Sequence, residues 1–378
     1  MSDSPFGNFG FMGDLMKMLG QQGPDSWFET ARALASTIAR GDDADPNPLP
    51  QERQRLEQYS ELVARHIEMV LGIPQSQPIE AATRTLLTNA ALDDWRPLLE
   101  PSKASQATPA AETEGLGDAM APLLGQLSTV MGPLFLGFQL GSAAGHFSET
   151  AWSRAALALP RLDSRRLIVV NNVAHFAQEW SLDHDHATIY ALAQEMTAAT
   201  FLTHDGTTTA LQALLFDAVR DAQAAQGDIM NRLTGLMQGG DISEMMSNPE
   251  RLLEGIELGE ETPATAAIDA ATAALRAAID ALAAHVTRAM VGPTPLLDEA
   301  LRRHRRTDAR GEDGAAALFG ISLRGERVDE AERFVQAVID QFGIEELTRM
   351  FQLDGLPSVS ELGTPELWVT RVRNSPFA

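Results

Sequence analysis

The chain has 378 residues, 44% of them hydrophobic and 21% charged, the composition of an ordinary globular protein with one large domain or about two smaller ones. Asp and Glu number 52 against 29 Lys and Arg, and a net charge of −23 argues against nucleic acid or an anionic membrane surface as a general partner. With no cysteine, disulfides, thiolate metal sites and Cys nucleophiles are excluded, which fits a reducing, cytoplasmic setting.

In chain order, residues 1–24 are rich in Gly, Phe and Met and read as a flexible tail. No basic segment there leads into an apolar one, so no secretory signal is expected. Residues 25–100 form an N-terminal helical region. Ser26 and Glu29 have capping-box spacing and start a helix to about Arg40. A turn-rich stretch over 42–50 precedes an amphipathic helix carrying Leu56, Tyr59, Leu62, Val63, Ile67 and Val70 on one face. A further helix is expected over 79–93, and residues 101–115 read as a small polar linker.

The main body is assigned to 116–355 and a loose C-terminal tail to 356–378. No Asp, Glu, Lys or Arg lies between Asp118 and Glu149, long enough for a membrane span. Pro122, Pro133 and several polar residues, with no flanking basic cluster, favour a buried core helix in which Gly137, Gly141 and Gly145 allow close packing. Leu167–Val170 is the best strand signal, stopped by Asn171 and Asn172, and a short helix follows over 173–180. Asp183 caps a helix to about Thr203, and another covers 207–225. Residues 227–262 read as loop with short helical pieces. An Ala-rich helix spans Pro263 to about Val291, with further helices over 295–306, 327–342 and 344–351. The Arg302, Arg303, Arg305 and Arg306 cluster falls in a last helical turn, where cations complement the helix dipole. The fold class is mainly α with a small β-sheet near 156–172.

The histidines give no clear metal set. His184 and His186 diverge by about 200° if helical, so they grip one ion only in a loop. His204 lies about 27 Å from His186 at helical rise. His175 and His66 read as structural packing, and His146 as a partner of a helix C-terminus. No nucleophile elbow, phosphate loop or dinucleotide fingerprint is present.

The ordered series GDLMKMLG, GPDSWFETARALA, the Gly-rich helix and LIVVNNVAHFAQEWSL resembles an actinobacterial family of zinc-dependent metalloprotease-like hydrolases. The resemblance covers nearly the whole chain and implies a zincin-like core. In that family the helix after this last segment carries HExxH, two histidines on one helical face that bind zinc and a glutamate that serves as general base. The matching residues here are Gln194-Glu195-Met196-Thr197-Ala198. Glu195 stands at the general-base position, while Gln194 and Ala198 occupy the ligand positions. The resemblance also implies a third ligand on a later helix, where Asp280-Ala281-Leu282, followed by His285, is the nearest match.

Ala198 offers no lone pair and Gln194 only a neutral amide oxygen, so the expectation is a degenerate motif, no bound cofactor and no catalysis. The small residues Ala187, Ala191 and Ala198 would let a neighbouring helix close the metal space. Such a member is expected to act by binding an unknown protein or peptide. The alternative is an active metallohydrolase holding zinc through Asp280, His285 or the 183–186 cluster around Glu195.

Overall fold

The computed structural model describes residues 25–41, 45–75, 77–106, 121–218, 220–221, 262–307, 310–323 and 325–376. The expected tail over 1–24, most of the linker and the stretch 227–261 lie outside them.

The first helix, α1 (Ser26–Arg40), has Asp25 rather than Ser26 at its cap and no side-chain cap bond. Helix α2 (Pro50–Leu71) begins at a proline, whose missing N–H costs nothing in a first turn, and ends at Gly72 in the left-handed region (φ 68°). The expected helix over 79–93 is corrected in its first turn. Ile79–Ala82 is strand β1, and helix α3 runs Arg84–Gln106, through the first residues assigned to the linker. A four-residue strand between helices gives no periodicity of its own; only its partner reveals it. That partner is β2 (Arg166–Val169), which pairs with β1 in parallel with Ile79 opposite Arg166 and Ala82 opposite Val169.

The Gly-rich helix is α4 (Ala121–Thr150), and it packs along α1. A methyl group on Gly137 would sit 2.4 Å from the Trp27 carbonyl oxygen, and one on Gly141 would sit 2.6 Å from that of Ala31. The glycine stripe therefore lets α1 and α4 approach closely. Among the described residues, no helix is long and apolar enough to cross a membrane.

Helix α5 (Val170–Glu179) follows β2 directly, so Asn171 and Asn172 start a helix rather than a turn. Asn172 is buried and fully used: its amide donates to the Ser148 and Ala151 carbonyls (2.9 and 2.7 Å), and its oxygen accepts from Arg84 (2.8 Å). Next come α6 (His184–Leu202), α7 over 205–218 and the Ala-rich α8 (Pro263–Val291). Helix α8 has its expected bounds, set by a Thr262–Thr265 capping box, Pro263 at the first position and Gly292 beyond the end. Helices α9 (Pro295–Thr307), α10 (Arg310–Ala317) and α11 (Glu326–Phe342) follow, and Ile344–Phe351 is 3-10 rather than α-helical.

The C-terminal residues are not loose. Helices α12 (Val359–Leu362) and α13 (Pro365–Arg373) pack on α11, with Trp368 fully buried and its indole N–H bonded to the Gly355 carbonyl (2.7 Å).

One hydrophobic cluster joins the helices on both sides of the expected linker. At its centre lies α6. Residues 187–193 and 195–199 are all buried, so the expected division into an apolar face and a metal face is replaced by burial all round. Helix α6 is flanked by α2, α5, α8 and β2.

Candidate active-site region

Helix α6 starts where the Asp183 carboxylate accepts the amide hydrogens of Asp185 (2.8 Å) and His186 (3.1 Å). The His186 amide leads the contacts that hold this carboxyl below its usual pKa. Three turns on, the helix reaches Gln194 and Glu195, whose side chains leave it in different directions.

Glu195 points toward the chain segment leading into β2. Its two carboxylate oxygens accept from the two terminal nitrogens of Arg161 at 2.9 and 3.0 Å, a fork-to-fork pair. The amide of Leu167 on β2 adds a bond of 3.3 Å. Both side chains are sealed, with 1% of Arg161 and none of Glu195 exposed. Arg161 is fixed in turn by its backbone N–H to the Leu202 carbonyl (3.1 Å), at the far end of α6. A second buried pair lies close by, where Arg154 binds Asp94 at 2.9 Å. Burial raises the Asp94 carboxyl pKa, and the pull of Arg154 only partly opposes it.

Gln194 points the other way, toward α8. Its amide donates to Oδ1 of Asp280 at 2.7 Å, an oxygen that also accepts from the Tyr190 hydroxyl at 3.1 Å. The other Asp280 oxygen accepts from Arg305 of α9 at 2.8 Å, so three elements converge on one carboxylate. Burial, with the Asp280 charge beside it, pushes the Tyr190 phenol far up. Burial also disfavours the Arg305 cation, but Asp280, Tyr190 and Glu332 outweigh it and its pKa is raised. The structure thus brings Gln194 and Asp280 into contact, while Glu195 turns toward β2. Ala198 is wholly buried.

Beside Asp280 a cavity of about 250 Å³ opens between α8, α9, α11 and the segments around Leu157 and Ile321. Gln194, Glu195 and Ala198 do not line it. Among the described residues, the charged ones on its wall are Arg276, Asp280, Arg302, Arg305, Asp329 and Glu332.

The remaining sequence candidates are scattered. His285 is exposed on α8. His184 and His186 sit in the first turn of α6, roughly 15 and 12 Å along the axis from Gln194 at helical rise. His184 faces Thr188 at 3.4 Å, and Asp185 lies near Arg55 at 3.8 Å. The His204 ring lies against Phe351, 5.2 Å between centroids. His66 bonds the Leu62 carbonyl and His146 the Glu149 carboxylate, whereas His175 is exposed rather than packed. Among the described residues, no three His, Asp or Glu side chains cluster as a metal set.

Sequence reasoning missed Arg161, Tyr190, Arg276 and Arg305. For two of these a signal existed. Arg161 sits in the apolar run from Ala155 to Leu162, and Arg276 is the lone charge between Asp269 and Asp280 on an Ala-rich helix. A charge in such a run is buried only with a partner or beside a cavity.

No curated protein matches the chain. Among solved structures, a protein from Chloroflexus aurantiacus described as a "putative hydrolase with a novel fold" superposes with a TM-score of 0.59 at 18% identity, covering 92% of this chain and 99% of that one. At that identity the likeness speaks for the fold. The pattern of the zincin-like metallopeptidase family matches residues 27–369, from the tryptophan buried against α4 to the last helix, and with it the helical frame around α6 and α8. The chain belongs to the zincin-like metallopeptidase family.

Proposed function

We propose that this protein is a catalytically silent member of its family, cytoplasmic, that acts by binding a protein or peptide rather than by cleaving one. The observation that carries this reading is the pairing of both Glu195 oxygens with Arg161 inside the protein. A general base needs a free oxygen within reach of a water, and this one has neither freedom nor access.

The donor chemistry supports the same reading. On the alignment to HExxH the ligand positions are Gln194, Ala198 and Asp280. Catalytic zinc takes about three protein ligands of imidazole, carboxylate or thiolate type, and this set supplies one. The residues do not fit the metal. Asp280 instead has its charge balanced by Arg305, and Gln194 spends its amide on the same carboxylate. That network is complete without an ion.

The test is metal content. Protein purified without chelator, then equilibrated with micromolar zinc and dialysed, is expected to hold far less than one zinc per chain by elemental analysis. One zinc per chain, lost on substituting Glu195 or Asp280, would overturn the reading.

A further inference from the structure

The cavity beside Asp280 has, on its wall, a guanidinium that no described residue uses. Arg302 at its edge is tied to Glu299 (2.6 Å), and Arg305 is tied to Asp280 and Glu332 (2.8 and 3.4 Å). The acids on the wall are committed too: Asp280 to three donors, Glu332 to Arg305, and Asp329 to a partner of its own. Among the described residues Arg276 makes no hydrogen bond or ion pair, although it lines the same wall. Its side chain is half-buried. Asp280 and Glu312 act on it at longer range, against a burial that disfavours its charge.

The rest of the wall is largely apolar, from Leu157, Ala273, Ala277, Ile321, Leu323 and Val328. An uncommitted, partly desolvated guanidinium over an apolar floor is a fork waiting for a planar anion attached to a greasy body.

We infer that this cavity binds a small organic carboxylate with an apolar body, its carboxylate paired with Arg276. At about 250 Å³ it falls below the usual range for drug-sized ligands, about 300–1,000 Å³, so the occupant is a small free acid or the last residue of a peptide. The two sources share one chemistry. The inference stands apart from the metal reading, because Arg276 belongs to no part of the zinc-ligand alignment.

The experiment is calorimetric titration of the full chain at neutral pH with 4-phenylbutyrate and with a pentapeptide ending in a free leucine, each beside its amide. The expected result is saturable binding of one or both acids, with amides weaker by about tenfold or more, as loss of a charge-assisted fork demands. Binding of phenylbutyrate alone identifies a free acid; binding of both identifies a chain terminus as an occupant. Arg276→Leu should weaken the acid by about tenfold or more while leaving zinc content unchanged. Should that variant fail to fold, Ala277→Phe fills the cavity and should block the acid. Equal binding of acid and amide, no binding of either acid, or acid binding unaltered in the variant that folds would overturn the inference. None of these outcomes touches the zinc measurement, so the two readings fail separately.

Discussion

Glu195 and Asp280 are both buried acids on long central helices, and each faces an arginine, yet their surroundings differ in kind. The Glu195–Arg161 pair is closed: two parallel bonds, a backbone amide and almost no exposure. Asp280 is held by three side chains from two other helices, and its arginine, 27% exposed, lies on the wall of a cavity and divides itself between two acids. The first is a rivet between α6 and the segment entering β2. The second is a junction beside open space, where a ligand can reach the protein without breaking the core. Burial alone does not mark a functional acid; what matters is whether its partners leave room for a third party.

The largest effect is expected at the rivet. Arg161→Ala leaves the Glu195 carboxylate buried without its partner and should cost about 3–5 kcal/mol in urea unfolding. Replacing both, as Arg161→Met with Glu195→Leu, should recover much of that loss, because two apolar side chains need no charge partner. Failure of the double variant to recover would show that the pair is not a self-contained unit, and the contrast with Asp280 would weaken.

At the junction, Asp280→Asn keeps an acceptor for Tyr190 and Gln194 but removes the charge on which Arg305 rests. Arg305 keeps Glu332 and some solvent, so a loss of about 1–3 kcal/mol is expected, clearly below that at Arg161. A loss as large as that of Arg161→Ala would erase the distinction between the two sites.

A third arginine–carboxylate pair, near the C-terminus, sets the lower end of the scale. Arg371 holds the two Glu361 oxygens at 2.7 and 2.8 Å. Burial opposes that charge, but Arg371 and the Ser358 amide outweigh it and hold the carboxyl below its ordinary 4.5. A carboxyl with a lowered folded pKa adds stability that is complete above the unfolded value and is lost as pH falls through the folded one. Glu361→Gln should therefore lower the melting temperature modestly at pH 7, and the gap to the parent should shrink as pH falls below about 4.5. A gap that stays constant across that range would mean the pair contributes no charge term.

The sequence carried the helical frame well, because most of it is written locally. Asp183 caps α6 through backbone amides two and three residues away, and Thr262, Pro263 and Gly292 bracket α8. The glycine stripe of α4 announced a close helix contact, and α1 supplied it. Strand β1 was not legible, since four residues of Ile-Glu-Ala-Ala become a strand only by lying beside β2, more than eighty residues away. The site was legible in part. Gln194, Glu195 and Asp280 were named from their likeness to a family pattern, and two of them do touch. Neither arginine's pairing could be read off, because Arg161 and Arg305 reach their acids across 34 and 25 residues of chain.

What the sequence determined by itself was short-range: where helices start and stop, which faces are small enough to pack closely, and that residues 194–198 carry no imidazole. Tertiary structure decided which charges cancel. Coulomb attraction inside a protein depends on distance through space and on exclusion of water, and neither is a property of neighbours along a chain. Folding therefore closed Glu195 against Arg161, left Arg276 without a partner among the described residues, and put a cavity of about 250 Å³ beside Arg276.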